Sequence, residues 1–131
     1  MNNKILFGHE KLIVYQRALE FIEWSDKICS RIHWNVNSRN YLERASDSIL
    51  LNIAEGNGKF TPNDRCKFFD IAHASALECS GCLDSLFVRR KISEDEQVNG
   101  INKIKEIVAM LIGLIKRNSD RVYEPNEEYE G

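Results

Sequence analysis

The sequence predicts an all-α fold, an up-and-down antiparallel four-helix bundle. Three observations predict it: four segments repeat apolar residues every three or four positions, capping and turn signals separate these segments, and no segment reads as a strand. The connections are short, and short connections between long helices favour antiparallel neighbours. A chain of 131 residues suits a single domain with its own core.

The first helix is predicted over residues 10–31 and the second from Asn37 or Ser38 to about Asn57. Their core stripes are Val14, Ala18, Phe21, Ser25, Ile28 and Ile32 in the first helix, and Leu42, Ala45, Ile49 and Ile53 in the second. Asn37 or Ser38 is expected to cap the second helix with its side chain. Gly56 and Gly58 are expected to end that helix in the left-handed conformation.

The third helix is predicted to begin with Thr61 as its cap and Pro62 in its first position, and to continue to about Val88. Its predicted core face consists of Phe68, Ala72, Ser75, Cys79, Cys82 and Leu86. Buried on one face, the two thiols of the Cys79–Cys82 motif are expected to pack as small apolar groups rather than to serve redox or metal chemistry.

The fourth helix is predicted to begin at the capping box of Ser93 and Glu96 and to run to about Asn118. Its apolar residues exceed one stripe: Ile101, Ile104, Val108, Leu111 and Ile115, with Ile107, Met110, Ile112 and Leu114 beside them. Because one side of each helix in a monomeric bundle should face water, this excess predicts a homo-oligomeric contact on the fourth helix.

Composition divides the chain into an N-terminal segment (1–9), the bundle (10–118) and an acidic tail (119–131) that is expected to be disordered. The net charge is −2, and four glutamates follow Val122, which leaves +2 on the rest. A nearly neutral body gives little support to nucleic-acid binding, though a local basic patch remains compatible with it. The sequence shows neither a membrane-spanning run nor a signal peptide, so a cytoplasmic protein without membrane contact is expected.

Polar residues recur at helical spacing on the second and third helices. They are Arg44, Ser48, Asn52 and Glu55 on the second, and Ser75 and Glu78 on the third. We interpret them as a buried hydrogen-bonded network that sets the register of the two helices. The alternative is a carboxylate site for acid–base chemistry or a metal at Glu55 and Glu78.

Motifs that would support catalysis are missing from the sequence. No glutamate has a histidine three positions after it, as the Glu-x-x-His pairs of a di-metal bundle site would need, and there is no phosphate loop or dinucleotide fingerprint. The sequence therefore predicts a non-enzymatic protein with no catalytic residue, cofactor or metal.

Two basic groups are candidates for nucleic-acid contact. One is Arg89, Arg90 and Lys91, and the other is Lys59, Arg65 and Lys67. Solvated faces, with the first group complementing the dipole of a helix end, are the alternative interpretation. Trp34 and Trp24 are able to stack on bases, although packing or an interface would also explain them.

Several short motifs carry a family resemblance. They are Leu12-Ile-Val-Tyr-Gln16, Arg44-Ala45, Ser48-Ile49, Asn52-Ile-Ala-Glu-Gly56, and Ala74-Ser75 with Glu78. Over about residues 10–118 they resemble the bacterial 23S rRNA-intervening-sequence protein family, whose members are up-and-down bundles that typically form homopentamers. A distant relative is the accessory protein of diversity-generating retroelements, which binds a reverse transcriptase and nucleic acid.

The resemblance implies a homo-oligomer, a pentamer, that acts as an accessory or adaptor protein with RNA or a nucleic-acid enzyme as partner. A direct RNA- or DNA-binding module is the alternative function. Many family members have proline before the motif asparagine, where this chain has Leu50 and Leu51. We therefore expect the second helix to be uninterrupted.

Overall fold

The computed structural model describes residues 6–119, which form four helices and no strand. The helices are α1 (Ile13–Cys29), α2 (Asn37–Asn57), α3 (Pro62–Val88) and α4 (Glu94–Arg117), and a 3-10 turn at Gly8–Lys11 precedes α1. In the bundle α2 packs against α1 and α3, α3 packs against α4, and α1 closes against α4. The predicted all-α four-helix bundle is confirmed, and α2 is uninterrupted. Most of the predicted N-terminal segment and acidic tail lies outside the described residues.

The core follows the predicted stripes of α1, α2 and α4, and on α3 Ala72, Cys79, Cys82 and Leu86 are buried as predicted, but the two other predicted positions are not. Phe69, Ala76 and Leu83 are buried there, whereas Phe68 and Ser75 are only half-buried. Six of the buried residues on α3 repeat at intervals of three and four, namely Phe69, Ala72, Ala76, Cys79, Leu83 and Leu86. Because Phe68 and Phe69 are adjacent and equally apolar, the sequence does not show which of them faces the core.

The wide apolar surface of α4 is used within the chain. Ile107 and Leu114, which lie outside its predicted stripe, are buried, and Met110 and Ile112 are half-buried. The homo-oligomeric contact predicted on α4 is not tested by a single chain and stays a prediction. Exposed apolar side chains lie mainly on the other helices, as with Ile13 on α1, Leu51 on α2 and Ile71 on α3.

Side-chain caps begin two of the helices as predicted. The Thr61 hydroxyl accepts a hydrogen bond from the Asp64 N–H at 3.2 Å, and Ser93 and Glu96 form a reciprocal capping box. The cap predicted for α2 was wrong, because Val36 occupies the cap position and offers no side-chain acceptor. The first N–H groups of α2 consequently have no side-chain cap.

Gly56 is needed for close packing rather than for a left-handed cap. No glycine in residues 6–119 has a positive φ, and Gly58, which ends α2, has φ −84°. A Cβ at Gly56 would lie 2.8 Å from Phe69 Cε1 and 3.1 Å from Phe68 Cβ. The missing side chain therefore lets the end of α2 approach the start of α3.

The left-handed residue at a helix end is instead Arg90, with φ 62°. Its N–H donates to the Phe87 carbonyl at 2.9 Å, and the Lys91 N–H donates to the Leu86 carbonyl at 2.8 Å. These two bonds form a Schellman motif that ends α3, a position where glycine is the usual residue. An arginine here carries a steric cost that glycine would avoid.

Replacing Arg90 with glycine is expected to raise the free energy of unfolding by about 0.5–1 kcal/mol, because the relief of left-handed strain exceeds the entropic cost of glycine. Arg90→Ala removes the same charge but keeps a Cβ, so it should show no such gain. Urea denaturation of both variants measures the difference. Equal stability of the glycine and alanine variants would contradict a strained Arg90.

Candidate nucleic-acid interface

Serine pairs fasten α2 to α3 in an antiparallel register. The hydroxyls of Ser48 and Ser75 are 2.7 Å apart, and those of Ser38 and Ser85 are 2.6 Å apart. The two pairs are separated by ten residues on each helix, which fixes the direction and register of packing. Asn52 strengthens the first pair, because its side-chain amide donates to the Ser48 carbonyl at 2.8 Å and to the Ser48 hydroxyl at 3.1 Å.

Only half of the predicted network assembles. Ser48, Asn52 and Ser75 are joined and half-buried, whereas Arg44, Glu55 and Glu78 are exposed. The prediction that all six are buried was wrong for these three, since they project from the outer side of the helix pair. Arg44 instead lies over the ring of Tyr41, with its guanidinium carbon 4.7 Å from the ring centroid.

The alternative carboxylate site is not assembled within the chain. In the register of the serine pairs Glu55 lies level with Phe68, ten residues before Glu78, which corresponds to about 15 Å along the helix axis. Among residues 6–119 no group of three His, Cys, Asp or Glu side chains is placed to hold a metal ion.

The network gives a matched pair of stability predictions on α3. Ser75→Ala is expected to lower the free energy of unfolding by about 0.5–1.5 kcal/mol, because it removes the hydrogen bond to Ser48. Glu78→Ala, at an exposed position, should change it by less than about 0.5 kcal/mol. Urea denaturation of both variants tests this. A larger loss for Glu78→Ala than for Ser75→Ala would contradict the arrangement.

The two cysteines of the Cys79–Cys82 motif pack in the core, where all four cysteines are free and buried. Burial raises the pKa of the Cys82 thiol to about 11, with a smaller contribution from the nearby Glu78 carboxylate. Burial likewise raises the pKa of Cys79. The buried, neutral thiols agree with the packing interpretation.

At pH 8 a thiol of pKa about 11 holds on the order of 200-fold less thiolate than free cysteine. Native protein should therefore incorporate iodoacetamide at Cys82 at least 100-fold more slowly than urea-unfolded protein, and the rate should rise as the pH approaches 11. Peptide mass spectrometry measures the labelling of Cys82. Rapid labelling of the native chain at pH 8 would show that this thiol is accessible and ionised.

The basic group formed by Lys59, Arg65 and Lys67 is engaged in holding the fold. Arg65 donates to the carbonyls of Lys59 at 3.0 Å and Phe60 at 3.3 Å, and to the side chain of Asn118 at 3.3 Å. The Lys59 ammonium lies 4.9 Å from the centroid of the Phe68 ring, and Lys67 pairs with Asp64 at 3.4 Å. These contacts explain the group without a ligand.

The other basic group, Arg89, Arg90 and Lys91, is exposed and pairs with no acid among residues 6–119. Within the described part of the chain the Arg89 side chain makes one polar contact, in which its Nε donates to the Ser85 hydroxyl at 3.2 Å. Several other cations are neutralised, as in the pairs Arg17–Glu106, Arg31–Glu96 and Arg39–Glu43. These three side chains therefore carry positive charge that no acidic side chain among residues 6–119 neutralises.

A cleft of about 420 Å³ lies beside these cations, where the α1–α2 and α3–α4 connections meet at one end of the bundle. It is lined by Asn35, Val36, Asn37, Ser38, Arg89 and Lys91. The uncapped first turn of α2 contributes the positive end of its dipole to the cleft. Such a setting favours an anionic group such as a phosphate.

Trp34 stands next to the cleft in sequence and is 71% exposed. Its ring lies 5.4 Å from that of His33, and its carbonyl accepts a hydrogen bond from the Asn40 side chain at 2.7 Å. Proteins that bind single-stranded nucleic acid combine exposed aromatic side chains with positively charged grooves. We call Trp34, Asn35, Asn37, Arg89, Arg90 and Lys91 the bundle-end surface.

The sequence identified the cations and Trp34 as candidate site residues, but it did not predict that the two connections carrying them meet at one end of the bundle. Asn35 and Asn37 were not predicted as site residues, because their neighbours come from a connection about fifty positions away. No local pattern signals such a meeting of two connections.

The model of the 23S rRNA-intervening sequence protein family matches residues 10–113. The chain belongs to the 23S rRNA-intervening sequence protein family. A solved structure from the S23 ribosomal protein family of Bacteroides thetaiotaomicron, a protein of unknown function, is similar in fold. It has 23% identity and a TM-score of 0.73, and the match covers 79% of this chain and 99% of that chain. No curated protein matches this sequence.

The residues that carried the family resemblance fall into two sets. Asn52, Ile53 and Gly56 have roles within the chain, as a hydrogen-bond donor, a core residue and a close-packing position. Arg44, Glu55 and Glu78 are exposed, and none has an ion-pair partner among the described residues.

Within residues 6–119 no helix is both long and apolar enough to cross a membrane.

Proposed function

We propose that this family member is a non-enzymatic accessory protein that works as a homo-oligomer and binds single-stranded RNA through the bundle-end surface. The observation that carries the RNA proposal is the cleft lined by Arg89 and Lys91, which pair with no acid among residues 6–119. Arg90 lies between them in the chain, and the exposed Trp34 directly precedes the lining residue Asn35. Phosphates would bind the cations and the uncapped start of α2, and a base would stack on the indole.

Salt dependence of binding tests this proposal. With two or three phosphates contacted, the logarithm of the association constant for a single-stranded oligoribonucleotide should fall with the logarithm of salt concentration at a slope of about −1.4 to −2.1. Filter binding of the full chain between 50 and 200 mM salt measures the slope. No binding at 50 mM salt, or binding insensitive to salt, would contradict the proposal.

The outer side of α2 and α3 supports the homo-oligomer. Tyr41, Leu51 and Ile71 are large apolar residues exposed there, next to the unpaired charges of Arg44, Glu55 and Glu78. Gly81 on α3 lies in the same region, and a Cβ there would meet nothing within 4 Å. A helix-interior glycine that its own chain does not require leaves room for a neighbouring chain.

In the proposed assembly, Arg44 of one copy pairs with an acid of the next, so the ring is held by charge as well as apolar contact. Light scattering of the full chain should give five times the mass of one chain, the pentamer that the family resemblance implies. Arg44→Glu should dissociate it, and combining it with Glu78→Arg should restore it. A monomer at micromolar concentration would contradict the homo-oligomer.

A further inference from the structure

A second groove, remote from the bundle-end surface, lies between α1 and α4. It measures about 700 Å³ and is lined by Lys11, Leu12, Ile13, Val14, Met110, Gly113, Leu114, Lys116 and Arg117. The pair Arg17–Glu106, at 2.6 Å, bridges α1 and α4 beyond it. Since the groove contains the end of α4 and the start of α1, it is at the opposite end of the bundle from Arg89 and Lys91.

The floor of this groove is apolar and open. Ile13 is 62% exposed there, and Met110 is half-buried. Gly113 lies in the interior of α4, yet a Cβ at this position would meet nothing within 4 Å. Glycine costs a helix interior about 1 kcal/mol relative to alanine, and packing among the described residues does not require it here. The missing side chain widens the groove.

The rim of the groove is basic, with Lys11 on one wall and Lys116 and Arg117 on the other. The chain that follows Ser119 has the complementary composition. Residues 120–131 contain five acids and one arginine, together with Val122, Tyr123 and Tyr129 as apolar groups. We propose that the groove between α1 and α4 binds this acidic C-terminal segment of the same chain, with Tyr123 on the apolar floor and glutamates at the basic rim.

Only a few residues are needed to span the distance from Ser119 back to the groove. Met110 and Gly113 lie nine and six residues before Ser119, about 14 and 9 Å back along the axis of α4. Four extended residues cover about 13 Å, so a chain that turns back after Ser119 brings Tyr123 to the level of these two residues. The next glutamate, Glu124, then lies within reach of Lys11.

Zero-length cross-linking of the full chain tests the contact. A carbodiimide should join the Lys11 ammonium to Glu124, Glu127 or Glu128, as identified by peptide mass spectrometry at 20 mM salt. The yield should fall several-fold in 1 M salt, because salt screens the exposed ion pairs that hold the segment. Lys11 is diagnostic because it lies on the wall opposite α4. No Lys11 product, or products at Lys59 and Lys67 instead, would overturn the proposal.

A pair of tryptophan variants on α4 provides the control. Gly113→Trp fills the groove and should lower the yield of the Lys11 product at least fivefold, whereas Asn99→Trp, at an exposed position fourteen residues earlier on the same helix, should leave it unchanged. Tyr123→Ala should cause a similar loss, which keeps the test decisive if Gly113→Trp does not fold. Unchanged yield in both Gly113→Trp and Tyr123→Ala would overturn the proposal.

Isotope mixing decides whether the segment belongs to the same chain. Ordinary and ¹⁵N-labelled chains are refolded together from urea before cross-linking. Lys11 products should then join peptides of the same label. Products in which half join unlike labels would show that a second copy supplies the segment, and the proposal would be overturned. Because the groove and the bundle-end surface are at opposite ends, this result does not depend on RNA binding.

Discussion

Gly56→Ala is expected to lower the free energy of unfolding by about 1–3 kcal/mol, the usual cost of overpacking a close-packed site. The new methyl group would lie 2.8 Å from Phe69 Cε1 and 3.1 Å from Phe68 Cβ. Phe69 is fully buried, and the Phe68 Cβ is attached directly to the α3 backbone, so neither atom moves away easily. Urea denaturation measures the loss.

Gly81→Ala is the matched control, since it adds the same methyl group to a helix interior where nothing lies within 4 Å. It should raise the stability of the single chain by up to about 1 kcal/mol through helix propensity alone. If Gly56→Ala were as stable as Gly81→Ala, the close approach of α2 to α3 would be contradicted.

The double variant Arg89→Ala, Lys91→Ala is expected to bind single-stranded RNA on the order of 10–100-fold more weakly at 50 mM salt, because it removes two phosphate contacts. The salt slope should become shallower by about 1.4. Filter binding of the variant and the unaltered chain measures both quantities.

Lys59→Ala, Lys67→Ala changes the net charge equally but removes cations that the fold already engages. This control should keep the affinity within about threefold of the unaltered chain, since net charge acts only weakly at a distance beyond the Debye length. Equal losses in the two double variants would mean that RNA senses overall charge rather than the bundle-end surface.

Local signals in the sequence were sufficient to predict the four helices. Thr61, Pro62 and Ser93 mark helix starts through hydrogen bonds made within one turn, and the stripes of α1, α2 and α4 report burial directly. Local signals did not determine the buried face of α3, because Phe68 and Phe69 are adjacent and equally apolar. Gly56 was misread for a related reason, since the sequence shows a glycine but not the ring that approaches it.

The candidate sites were harder to predict than the helices, because their geometry depends on helix register and on contacts between segments that are distant in the chain. Glu55 and Glu78 fit one polar surface by helical spacing, but the serine pairs place them ten residues out of level. The two basic groups looked alike in sequence and were separated only by their partners, since Arg65 is bound by backbone carbonyls and Arg89 is not. Such partners come from tertiary packing, which spacing along a helix does not encode.

Tryptophan fluorescence during titration with a single-stranded oligoribonucleotide tests the proposed RNA function most directly. Trp34 is exposed, so a base stacked on it should quench its emission in a saturable way, and added salt should restore the emission. Trp34→Phe retains Trp24 and should show no quenching. Saturable, salt-reversible quenching that disappears in Trp34→Phe is the result predicted, whereas no quenching, or equal quenching in Trp34→Phe, would contradict RNA binding at the bundle-end surface.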